Sequence, residues 1–119
     1  MLKSSEERFR FLLPEHSVVM RIEFADVTLK RVGQKWLLEG SNEKTLQELQ
    51  PLVNNWGQVI VESQPSSELT TPYVVSLQLA GESTMRVYQL MAFEQGLFIN
   101  HNGETFLAAE TKIQNLLPM

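Results

Sequence analysis

The sequence predicts an α+β domain: a largely antiparallel, twisted sheet of about seven or eight strands, with one main helix on a face and a short C-terminal helix. Three observations carry this. Val18, Met20, Ile22 and Phe24 alternate with Arg21 and Glu23, the period-two pattern of a half-buried strand. Leu46, Leu49, Val53 and Trp56, widened by Leu52, fall at helical spacing. Asn102-Gly103 lies between two apolar runs and is the strongest short hairpin signal, because both residues tolerate the positive φ of a type I′ turn.

Taken in order, Ser4 to Leu13 admits two readings. Phe9, Phe11 and Leu13 alternate like a strand, whereas Ser5, Glu6 and Glu7 look like an acidic helix start. A meander follows: the Val18–Phe24 strand, a second strand with Val27 and Leu29 inward, and a turn at Gly33-Gln34 into a third holding Trp36 and Leu38. Gly40 and Ser41 end it, and Ser41 or Asn42 is placed to cap a helix running from Asn42 to Trp56. Pro51 predicts a kink or break there, and Gly57 a left-handed stop. Val59 to Glu62 reads as a short strand and Gln64 to Pro72 as a solvated loop. Tyr73, Val75, Leu77 and Leu79 share an inward face, and Gly81-Glu82 turns this strand into Met85 to Met91. Leu97 to Asn100 and Thr105 to Ala108 flank the Asn-Gly turn. Ile113, Leu116 and Leu117 point inward from a closing helix that Pro118 ends.

At 119 residues, 43% of them hydrophobic, the chain has the size of one domain, residues 1–119, with 1–13 as a flexible or weakly attached N-terminal segment. Ten basic against fourteen acidic residues leave a net charge of −4, which disfavours a phosphate backbone, so nucleic acid is not an expected partner. Without cysteine there is no disulfide framework, thiolate nucleophile or thiolate metal site. No apolar run approaches the roughly 20 residues that span a bilayer, and MLKSSEERFRF lacks the apolar middle of a secretory signal. The compartment stays open: extracytoplasmic or membrane-tethered if an anchor precedes this chain, cytoplasmic otherwise.

No motif nominates a reaction. His16 and His101 are isolated loop residues without metal-ligand spacing, and the expected partner of His101 is a cross-strand surface contact with Glu104. Thirteen of the fourteen acidic residues are glutamates scattered on solvent faces, Asp26 being the exception. No G-x-S-x-G elbow, dinucleotide turn or phosphate-binding loop occurs. The expectation is therefore a non-enzyme without cofactor or metal, its apolar side chains committed to holding a helix on a sheet. A hidden cluster of titratable groups would count against that. Arg21, Lys30, Arg31, Lys35 and Arg86 could form an anion-attracting strip, but alternation predicts a solvated face. Trp56 and Tyr73 read as buried, whereas Phe93 flanks a loop and Phe98 points away from Leu97 and Ile99. The candidate binding surface is accordingly Phe93, Phe98, Arg21, Arg31 and Arg86.

The segments LLPEHSVVMRIEF, VTLKRVGQKWLLEG, LQELQPLVNNW, LFINHNGETFLAAE and NLLP, in that order, resemble the repeat unit of the bacterial family named domain of unknown function 4340. The likeness runs from about Leu12 to Leu117 and is carried by structural, hydrophobic positions. It implies an extracytoplasmic or membrane-tethered accessory protein, in some members encoded beside transporter-like components, with no catalytic residues to carry over. This chain departs from longer members in holding one unit without a leading anchor. The expected function is a non-catalytic protein-interaction or scaffolding module, an accessory domain of a membrane-associated or extracytoplasmic assembly. Its partner would be another protein, with self-association through a sheet edge as a further reading. The alternative is a small-ligand domain with a pocket between helix and sheet, lined by Leu49, Val53 and Trp56.

Overall fold

The computed structural model describes residues 9–40 and 44–118. Its strands are β1 (Phe9–Phe11), β2 (Val19–Glu23), β3 (Val27–Val32), β4 (Lys35–Gly40), β5 (Ile60–Gln64), β6 (Tyr73–Leu79), β7 (Arg86–Phe93), β8 (Gly96–His101) and β9 (Glu104–Ala108). The helix α1 covers Leu46–Trp56, and a single 3-10 turn spans Ile113–Asn115. The fold is α+β, with nine strands among the described residues in one sheet ordered β1-β5-β9-β8-β7-β6-β2-β3-β4. Each neighbouring pair is antiparallel.

The ninth strand, beyond the expected seven or eight, is β1. Its three residues are all exposed, so its alternation encodes no burial, and tertiary pairing with β5 decides the conformation. In the 1–13 segment expected to be loosely attached, Leu12 donates to the Val59 carbonyl at 2.9 Å and Leu13 is buried. The helix start considered at Ser5 to Glu7 lies outside the described residues.

In β2 the register slips between Val19 and Arg21, so Val19 faces the core and Val18 is exposed, which corrects the expected Val18–Met20–Ile22 face. The Asn102-Gly103 turn adopts φ of 51° and 78°, the positive pair a type I′ turn requires.

The expected helix start at Asn42, and both proposed caps, lie outside the described residues. Thr45 is the cap, its hydroxyl accepting from the Glu48 N–H at 3.3 Å. The helix runs through Pro51 as one element. Pro51 and Gln47 are both exposed, so the Gln47 carbonyl that loses its donor lies at the solvated side, while Leu49, Leu52, Val53 and Trp56 stay buried opposite. Gly57 closes the helix at φ −70°, not in the left-handed region, its N–H donating to the Asn54 carbonyl at 3.1 Å. The C-terminal helix reduces to the 3-10 turn, with too few residues before Pro118 for a second turn, yet it still delivers Leu116 and Leu117 to the core.

Three connections join strands that are not neighbours, β1 to β2, β4 to β5 and β5 to β6, and the last two set the layers. The connection containing α1 leads from β4 at one edge to β5, next to the other, and covers the inner face. There Ile22, Leu29, Leu77, Tyr88, Leu90 and Ile99 meet the helix stripe and Leu116. Residues 65–72 must pass β9, β8 and β7 to reach β6, and they do so on the outer face. The loop expected to be solvated is docked there. Ser67 N–H donates to Thr105 Oγ1 at 2.9 Å, Asn100 Nδ2 donates to the Ser67 carbonyl at 2.7 Å, and Thr105 is buried.

Candidate functional site

The five residues nominated from sequence do not form one surface. Register places Arg21, Lys30 and Lys35 on the outer face, and Arg31 and Arg86 on the inner one, so no single basic strip exists. Arg21 is paired with Glu23 at 2.9 Å and Lys30 with Glu39. Phe93 and Phe98 meet edge to face on the outer side, ring centres 4.9 Å apart, at the β7–β8 hairpin. Tyr73, expected inside, is 50% exposed: alternation sets the side of the sheet, not how far the cover on that side extends.

Arg86 belongs to a titratable cluster that sequence spacing does not announce. Glu82 accepts from Arg86 Nε at 2.9 Å and Nη2 at 2.8 Å, and Arg86 Nη1 lies 3.4 Å from the Tyr88 hydroxyl. The guanidinium holds the Glu82 carboxyl below its ordinary range, and the Glu82 hydrogen bonds push the already high arginine pKa further up. Burial, above all, raises the Tyr88 phenol. His101 is not a solvated loop residue. It ends β8, stacked on Tyr88 at 4.3 Å, with Nδ1 3.0 Å from the Val87 carbonyl. It faces Glu104 in register, but Glu104 pairs with Arg10 at 3.7 Å. Glu82, Arg86, Tyr88 and His101 are close and partly buried, so this cluster counts against the expectation of a non-enzyme whose side chains only hold a helix on a sheet. Its bonds run from the 80–85 turn to β7, and they tie that turn down. Among the described residues, no group of three His, Cys, Asp or Glu side chains is placed to hold a metal ion.

A cleft of about 470 Å³ opens between α1, the 13–19 segment and the β3–β4 hairpin. Leu13, Val18, Trp36 and Val53 give it apolar walls, and Arg31, Gln50, Asn54 and Gln58 its polar groups. Arg31 has no ion-pair partner among the described residues. Gln50 and Asn54 sit four residues apart beside the apolar stripe of α1 and Gln58 follows just past its end, a signal present in the sequence that apolar periodicity alone passes over. Of the pocket residues expected from sequence, Val53 lines this cleft, whereas Leu49 and Trp56 are fully buried in the core.

The two edges of the sheet differ. β1 is short and carries Arg10 at its centre, over the Phe106 ring at 4.9 Å, two of the usual means of blunting an edge. β4 is six residues long, pairs with β3 without a bulge, and holds no proline; Trp36, Leu37 and Leu38 form its middle. Hydrogen bonding alternates along it. Val27 turns its carbonyl to β2, accepting from Phe24 at 2.8 Å, so Thr28, Lys30 and Val32 turn toward β4 and engage Glu39, Leu37 and Lys35. The N–H and C=O groups of Trp36 and Leu38 therefore point away from the sheet, and no described strand pairs with them. Leu37 is 45% exposed on the outer face between Lys35 and Glu39. Finding these groups requires the strand order, which no turn motif specifies. No family model, curated protein or solved structure matches this chain.

Proposed function

We propose that this domain is a non-catalytic protein-interaction module that takes up a partner strand at β4, as an accessory part of a membrane-associated or extracytoplasmic assembly. The observation that carries the reading is the outward row of backbone donors and acceptors at Trp36 and Leu38 on a six-residue edge strand with no proline or bulge, its apolar middle flanked by Lys35 and Glu39. The resemblance of segments between Leu12 and Leu117 to the domain of unknown function 4340 unit supports the accessory role. Among the described residues no helix is long and apolar enough to cross a membrane, so attachment to an assembly would run through contacts or through another segment. A photoreactive residue in place of Leu37, irradiated in the native host, should crosslink to a polypeptide, while the same residue in place of Gln89 on covered β7 should not. Equal yields at both positions defeat the reading.

The cleft supports a second reading, a site for an amphipathic carboxylate, because Arg31, without an ion-pair partner among the described residues, stands beside Trp36 and Val53. Octanoate should then change tryptophan fluorescence saturably in the native chain and not in Arg31→Ala. An unchanged response in that variant removes this reading.

A further inference from the structure

Resting on the reading of β4 as a docking edge, we propose that the strand it takes up is β4 of a second copy, paired antiparallel about a two-fold axis through Leu37. A closed dimer of this kind requires a surface complementary to itself, and β4 has one. With Leu37 opposite Leu37, Trp36 faces Leu38 and Lys35 faces Glu39, each twice. All facing pairs lie on a common side of the joined sheet: Lys35, Leu37 and Glu39 outside, Trp36 and Leu38 inside.

The hydrogen-bond phase agrees with this register. Trp36 and Leu38 are the residues whose N–H and C=O point outward, so each Trp36–Leu38 pair exchanges two bonds and the interface makes four. Leu37 and the Lys35–Glu39 pairs then occupy the non-hydrogen-bonded positions, where side chains approach most closely and opposite charges help most. The neighbouring in-phase register, centred on Leu38, sets Leu37 against Glu39 and Trp36 against Gly40 and loses both gains. A foreign strand places no such demand for symmetry about the centre of β4. Charge points the same way: two chains of net charge −4 repel as wholes, whereas the β4 edge is neutral and pairs lysine with glutamate. Glu39 already sits below the ordinary carboxylate range through its hydrogen bond from Lys30, so it is charged and ready to accept a second cation.

Sedimentation velocity on the full chain tests this, with circular dichroism confirming that each variant folds. The native chain should pass with rising concentration from 13.6 kDa to twice that mass. Leu37→Lys sets two cations against each other at the axis and should weaken association about tenfold or more. Lys35→Glu and Glu39→Lys alone should each weaken it, and mixing the two should restore a heterodimer, since every facing pair again carries opposite charges. A native chain monomeric at all concentrations overturns the proposal, as does a dimer indifferent to these changes or a mixture that fails to recover. A crosslink from position 37 to a different polypeptide in the native host, with a monomeric native chain, overturns self-pairing and leaves the docking edge standing.

Discussion

Trp56 joins three parts of the protein at one side chain. It is fully buried on α1, its ring lies 5.5 Å from that of Tyr88 on β7, and Nε1 donates to the Leu116 carbonyl at 3.0 Å. Trp56→Ala should therefore cost about 3 to 5 kcal/mol in urea unfolding, and a loss below about 1 kcal/mol would contradict this packing. The Glu82–Arg86 pair sets a pH dependence. Glu82 is depressed from the ordinary 4.5 when folded, so its contribution is complete above that value and is lost as pH falls through the lower folded one. Native Tm should therefore drop more steeply than that of Glu82→Gln between about pH 5 and pH 2. Burial of Trp56 was legible from helical spacing. The His101 stack and the Arg86 cluster were not, because they join residues across strands whose register follows from the whole fold.

At the scale of the element, α1 shows tertiary burial overriding a local penalty. Pro51 withholds one intrahelical donor, yet four side chains of the stripe are buried and the helix does not break. Pro51→Ala should raise stability by about 1 to 2 kcal/mol, the restored bond being partly offset by a freer unfolded chain. A fall in the urea midpoint would show that the proline ring is needed where it is. Local chemistry reached far among the strands: the Gly33-Gln34 and Asn102-Gly103 turns mark hairpins that form as read. The β2 bulge did not announce itself, since Val18, Val19 and Met20 are apolar whichever way the chain slips. Nor did the position of β4 at the edge of the described sheet, since an edge strand and a central one read alike until their neighbours are known.

Across the whole molecule, the two hairpin runs β2–β4 and β6–β9 were legible, while the joints β2–β6, β5–β9 and β1–β5 were not. Turns encode nearest neighbours in sequence, whereas these joints depend on how each crossover packs against a face. The outer crossover can be tested directly. Thr105→Val leaves the Ser67 N–H without its acceptor and Asn100 Oδ1 without its donor, and should cost about 1 to 3 kcal/mol in a thermal melt. No loss would mean that the loop is held elsewhere. The order of the sheet also bears on how the chain is made. β2 waits for β6, β5 waits for β9, and the indole of Trp56 waits for the backbone at Leu116. As the polypeptide leaves the ribosome, the first sixty or so residues hold a helix and a meander with nothing to close them, on the order of half a domain's greasy surface uncovered. Assembly of this protein is thus a late event, completed from the far end, and a nascent chain halted before β9 is a natural client for chaperones.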